Sequence, residues 1–450
     1  LLKSHAAFLV LSLAAAGWAQ QQPAQDLPQD YNGPALLNRG GEATVVGTPM
    51  TKLTPFVSVN GIYDTGLATI ATTPQGTLPF ASGFGVETTF GVAGQHPWKH
   101  SLLSINYNGA IRHYTRNTYY DGIDNSLMFS FKHQATRKLS FEASENAAHY
   151  SQSYGLFLPV AAGQPYSQTF ANVATGTMFD TPMSIYVTSG QMTYQQSPRW
   201  SFSASGNNFI VRQRSSALIG INGYDASGDA AYRLTRFQTV GLVYSFSYYG
   251  FQHMFGSTDV NGLALAYGIR LGRAWEFSAN VGGFRAGVSR QQQVAVDPAI
   301  AAILGTATAT QTFHGSVYMP NYAGRLTRAF HNATVSANYS RMIVPGNGVF
   351  LASSFEGAGI AYSYRGFRRM SVDLSVSYGS YSSLSQSLGT FRDYAIAGGL
   401  GYKLSRTMSI VTRVGGQKFQ MAGGGPINRN FYRTQLGLAW SPGDYPLPNW

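Results

Sequence analysis

The sequence predicts an all-β chain closed into a transmembrane antiparallel up-and-down β-barrel of about 18 strands. Three observations predict it. Between Ser371 and Tyr378 the chain alternates without a slip, with Val372, Leu374, Val376 and Tyr378 on one side and Ser371, Asp373, Ser375 and Ser377 on the other. A period of two places successive side chains on opposite faces of a strand. Similar two-faced segments recur from about Leu53 to Trp440, separated by short turns and longer polar loops. Finally, charged residues make up only 11% of the chain, against roughly 25% in soluble domains. The mean hydropathy is nevertheless only −0.10. A barrel reconciles the two values, since half of each strand meets lipid and half meets water.

Taken in order, the chain starts with Lys3, an apolar stretch from Ala6 to Ala16, and the small-x-small triplet Gly17-Trp18-Ala19. This reads as a secretory signal peptide over residues 1–19, cleaved after Ala19 so that Gln20 leads the mature chain. Residues 20–51 carry Pro23, Pro28, Pro34 and Pro49 among polar residues and read as an extended periplasmic lead-in. The barrel is expected over residues 52–441 and a tail over 442–450, where Pro442, Pro446 and Pro448 argue against a strand.

Within the barrel the repeating unit is a hairpin with a basic tight turn. Eight such turns are expected, at His96–Lys99, Thr136–Leu139, Ser197–Trp200, Thr235–Phe237, Gly272–Trp275, Thr327–Phe330, Gly366–Arg369 and Ser405–Met408. With first and last strands added they imply 18 strands, or 16 if the weakly patterned stretch from Ser140 to Ile221 slips. Longer connections are expected at Thr65–Ser82, Gln152–Pro182, Ser215–Ser227, Arg290–Gln311 and Ala422–Arg429. Bacterial barrels keep short turns in the periplasm and long loops outside, which orients the chain. Lipid-facing rows are read at Leu263 to Leu271, Val240 to Tyr248 and Tyr394 to Leu404. Tyr119, Tyr120, Tyr249, Phe251 and Tyr381 are assigned to the interfacial aromatic girdles. A soluble β-sandwich or propeller would also alternate, but the leader, the scarce charge and strands of about 10–14 residues favour the barrel.

Near the C-terminus, Gln435-Leu436-Gly437-Leu438-Ala439-Trp440 resembles the terminal-strand signal of bacterial outer-membrane β-barrels, porin-like proteins among them. The resemblance rests on Gln435, Gly437 and Trp440, and it implies recognition by the barrel-assembly machinery in the outer membrane. In that family the aromatic lies at or next to the chain end. Here the chain continues to Trp450, so either Trp440 or Trp450 is the recognised aromatic.

Function classes narrow by exclusion. The net charge is +12, but the basic residues sit singly or at turns rather than on one patch, which argues against nucleic acid. No cysteine is present, hence no disulfide and no lipobox. No enzyme is expected. A phospholipase-like centre needs Ser, His and an orienting group together, and histidines such as His96, His100 and His331 fall at turns. Asp121 to Asn125 lacks the closing Glu of a calcium loop and reads as a tight exposed turn. Gly423 to Pro426 reads as a loop, with no helix behind it to cradle phosphate. No cofactor and no metal site are expected.

The residues that could carry function are charges phased toward the lumen. These are Arg112, Lys132, Arg270, Arg413 and Arg433, opposed by Glu142, Glu276 and Asp373. Charged rings set ion selectivity in a pore, while cross-strand pairing would make the same residues purely structural. The expected function is a porin-like outer-membrane channel passing small polar solutes by diffusion. Its lumen would prefer anions weakly, and the loop Gln152–Pro182 would fold inward as its constriction. The alternative is a structural or export-accessory barrel, for example for polysaccharide secretion, with an occupied lumen. Outer-membrane lipid is the expected surrounding, and homo-oligomers are compatible with either reading.

Overall fold

The alternation along the chain becomes a single sheet that closes on itself. The computed structural model describes residues 51–68, 79–151, 179–252, 256–272, 274–295, 308–346, 351–364, 366–384, 389–422, 428–442 and 445–447. The leader, the lead-in, the Gly423–Pro426 run, Trp450 and residues 152–178 of the long loop lie outside them. The first strands are β1 (Thr51–Ala68), β2 (Phe80–Pro97), β3 (Ser101–Tyr114), β4 (Gly122–Thr136), β5 (Leu139–Tyr150), β6 (Met183–Tyr194), β7 (Trp200–Gln213), β8 (Ile221–Arg233) and β9 (Gln238–Phe251). The second half follows as β10 (Gly256–Leu271), β11 (Trp275–Ala295), β12 (Thr308–Ala329), β13 (Ala333–Val344), β14 (Ser353–Tyr364), β15 (Met370–Ser383), β16 (Thr390–Lys403), β17 (Met408–Ala422) and β18 (Asn428–Trp440).

Every strand pairs antiparallel with its chain neighbours. β1 pairs with β18 from Val57 opposite Trp440 to Thr65 opposite Tyr432, and the barrel is closed. Closure leaves the sheet no first or last strand with an open edge, the condition for sheet structure in lipid. Gln435 and Gly437 of the closing strand face inward and Trp440 outward, opposite Val57. A short strand β19 (Tyr445–Leu447) adds to the start of β1 opposite Thr51–Leu53. The prolines of the tail therefore do not exclude pairing, because at a sheet edge no second partner needs the missing N–H.

The outward rows keep the expected phase. Leu265 is 63% exposed, Ile396 61% and Leu374 52%, while Asp373 faces the interior. Turn arginines sit beside aromatics for a physical reason. The Arg328 guanidinium lies 4.7 Å from the Trp275 ring and 4.3 Å from Phe330. Arg328 pairs opposite Trp275, and β12 runs through Ala329, so the turn starts at Phe330. Several long connections are shorter than expected because β1, β8, β11 and β12 extend into them.

Four of the five girdle assignments fail. Tyr249, Phe251 and Tyr381 are buried inside the barrel, at 1%, 8% and 5% exposure. Alternation itself decides this, since each lies an odd number of residues from the outward Tyr248 or Tyr378. Tyr120 is also buried, and Tyr119 is exposed in the β3–β4 connection.

The interior is filled at the long-loop end. One apolar cluster joins Phe209, Val211, Tyr249 and Val260 to Ile343, Leu351 and Ala352. A second joins Phe355, Tyr381, Phe391 and Phe419 of β14–β17 to Phe179 and Leu218. Phe179 lies four residues before β6, and Leu218 lies between β7 and β8. Both therefore reach across the lumen to the opposite wall. Burying a side chain such as Phe391, at 0% exposure, contributes about 1.5–3 kcal/mol.

Candidate functional site

The inner wall formed by β17, β18 and β1 to β4 carries a continuous row of charges of both signs. Register builds it: Asn60 lies opposite Glu87, Glu87 opposite Arg112, Asp64 opposite Arg433, and Arg413 opposite Gln435. Each of these side chains points inward because its sequence neighbours, such as Tyr63, Val86, Ile111, Val414 and Leu436, point out. Arg112 donates from Nε to Glu87 Oε2 at 2.9 Å and from Nη2 to Asp124 Oδ2 at 2.8 Å. Arg433 Nη2 reaches the same Glu87 oxygen at 3.1 Å, and its Nε lies 3.3 Å from Asp64 Oδ1. Gln435 donates to Glu87 Oε1 at 3.3 Å, and Tyr114 donates its hydroxyl hydrogen to Asp64. One carboxylate, Glu87, thus stands between two guanidiniums, and nearly all of the row is buried.

The sequence-assigned charges distribute unevenly over this geometry. Arg112 and Arg433 belong to the row, and Arg413 stands at its β17 end. Lys132 and Glu142 are register partners on β4 and β5, away from it. Arg270 and Glu276 are likewise opposite each other, 3.9 Å apart and partly exposed. Asp373 lies on β15, opposite Gly399 and Ser363. Sequence reasoning missed Asp64, Glu87 and Asp124. The first two could have been phased from Val57, Val59 and Tyr63 and from Phe84 and Val86. Asp124 was placed in an exposed turn, but β4 starts at Gly122 and only Asp121 remains in the connection, where it accepts from the Tyr114 N–H at 2.7 Å.

A second polar centre pins the end of the β5–β6 connection to the far wall. Asp180 Oδ2 accepts from the Ala68 N–H at 2.8 Å, and the Asp180 N–H donates to the Ala68 carbonyl at 2.9 Å. Arg429 pairs with Asp180 and donates from Nε to the Gly66 carbonyl at 2.6 Å. Gly66 has φ +75° and sits at a bulge where the β1–β2 register shifts. Any side chain there would strike the Asn430 backbone, so glycine is required for the close approach. Burial pushes the Asp180 carboxyl above its usual range, and Arg429 pulls the other way.

Serine–histidine hydrogen bonds occur at Ser101–His133, His149–Ser184 and Ser289–His314. All three are cross-strand neighbours bonded through Nδ1, and none of these histidines contacts a carboxylate among the described residues.

No family model matches the chain, and no curated protein matches it. Solved structures similar to it include OccK5 (OpdH) of Pseudomonas aeruginosa, at 12% identity over 89% of this chain and 99% of that one, with a TM-score of 0.42. OccK2 (OpdF) of the same organism matches at 11% identity over 88% and 100%, TM-score 0.43. A BenF-like porin from Pseudomonas fluorescens Pf-5 matches at 10% over 86% and 98%, TM-score 0.41. At this distance the functional reading rests on the chain's own geometry.

Proposed function

We propose that the chain is an outer-membrane channel for small polar solutes, narrowed by inward-folded connections and lined by the charged row. The observation that carries this reading is the inversion of polarity across a closed wall. Leucine, valine and tyrosine face out, while Asp64, Glu87, Arg112, Asp124 and Arg433 face in. A buried charged row has no place on the lipid side and is costly in a purely structural core, but it suits a polar path. An 18-stranded barrel is wide enough to hold an aqueous lumen around it. The apolar clusters at the long-loop end make the path narrow, so the channel selects solutes rather than admitting all small ones. In this reading the cleaved leader exports the chain, and β18 presents Gln435, Gly437 and Trp440 to the assembly machinery. No chemistry is performed on the solute.

The anion preference expected from five cations and three acids is revised. The inner wall also carries Asp64, Glu87, Asp124, Asp225, Asp229 and Asp393, against Arg233, Arg325, Lys403 and Arg429, and the excess of cations disappears. A reversal potential measured across a salt gradient should therefore lie near zero, and salt should change it little. Strong selectivity of either sign would contradict the balanced wall.

One observation favours the alternative reading. The outer clusters fill the lumen with packed side chains, as an occupied barrel would require. Conductance separates the two, as set out below.

A further inference from the structure

The wall parts between β12 and β13. β12 and β13 pair from Ala329 opposite Thr334 to Tyr322 opposite Arg341 and then separate. β12 continues along β11 to Thr308, and β13 continues along β14 to Val344. Pro320, which has no N–H for a partner strand, lies just past the last pair. The parting leaves a notch of about 350 Å³ whose lining includes Arg341, Glu356, Ser380, Ser382, Met319 and Leu384. Met319 and Leu384 form its inner floor, where they pack on the first apolar cluster.

The notch lies just beyond the apolar band. On β13 the outward residues run Ala337, Tyr339, Arg341, and on β16 they run Ile396, Tyr394, Arg392. Tyr339 stacks on Tyr322 at 6.5 Å, and Tyr378 packs on Tyr394 at 5.2 Å. Such tyrosines mark the level where hydrocarbon gives way to head groups. Arg341 is therefore poised at head-group level, and its buried Nε has no hydrogen-bond partner among the described residues. Glu356, opposite it, is engaged by the Tyr339 hydroxyl at 2.7 Å. Exposed Arg392 lies opposite Ser380 of the lining, and exposed Lys418 opposite Tyr394.

We propose that this notch binds the phosphate-bearing head group of an outer-leaflet lipid. The fork of Arg341 matches phosphate oxygens bidentately. Arg392 and Lys418 add attraction, and serine hydroxyls serve the remaining oxygens. The acyl chains would lie along Ile360, Val376 and Ile396, all more than half exposed. The site requires the membrane placement but not conductance, so its failure would leave the channel reading intact.

The test uses the full barrel folded in zwitterionic detergent, with lipid A as the probe and native mass spectrometry as the readout. Wild type should retain lipid A, and dephosphorylated lipid A should be retained roughly tenfold less, as expected for one lost charged contact. R341Q/R392Q should lose retention similarly, while R212Q, an outward arginine on β7, should not. All variants are checked for the heat-sensitive gel mobility of a folded barrel. Equal retention of dephosphorylated lipid A, or undiminished retention by R341Q/R392Q, would overturn the proposal. Full displacement by inorganic phosphate would overturn it in favour of a free-anion site.

Discussion

Glu87→Ala should destabilise the folded barrel by about 3 kcal/mol or more, read from urea unfolding in lipid vesicles. Its carboxylate is the shared acceptor for Arg112 at 2.9 Å and Arg433 at 3.1 Å. Removing it leaves Arg112 with Asp124 and Arg433 with Asp64, so part of the desolvation is no longer offset and repulsion between the two guanidiniums is added. Glu87→Gln should cost less, since its amide oxygen still accepts a hydrogen bond. Adding Arg112→Met to Glu87→Ala should recover part of the loss, because the repulsion between the two guanidiniums is gone. A change below about 0.5 kcal/mol in Glu87→Ala would mean that water solvates the row freely.

Leu374→Arg should cost about 2–4 kcal/mol near mid-membrane, while Asp373→Asn should cost far less. The two residues are adjacent on β15 but face opposite solvents. Leu374 is half exposed on the lipid side, between Val372 and Val376, and the arginine would meet hydrocarbon there. Asp373 points into the lumen, where a neutral amide is tolerated. Folding yield into lipid vesicles and urea midpoints compare the two directly. Equal damage from both would place the strand in the wrong phase.

The wall was legible in the sequence and the contents of the lumen were not. Strict period two is a local property, and it placed Leu374, Leu265 and Ile396 outward from their neighbours alone. The same rule, applied to Tyr248 and Tyr378, puts Tyr249 and Tyr381 inside, against the general preference of aromatics for interfaces. Glu87 and Asp64 were readable by phase once Val86 and Tyr63 were set outward. Arg112 and Arg433 point inward by phase, yet their shared partner is not visible in the sequence, because strand closure brings β18 beside β1. The pairing of Asp180 with Arg429 joins positions 249 residues apart. Arg429 follows the alternation of β18, but Asp180 sits in no periodic segment that would announce it, since loop docking depends on the folded shape of the mouth.

The central claim is a closed barrel whose path is narrowed by connections folded inward, one of them pinned by Asp180, Arg429, Ala68 and Gly66. Single-channel recording in planar bilayers tests it most directly, comparing wild type with Asp180→Asn/Arg429→Gln. Wild type should conduct in steps smaller than an unobstructed lumen of 18 strands would allow. Releasing the pinned connection should enlarge those steps without changing the strand content of the folded protein. The same conductance in both proteins, or none in either, would contradict the account.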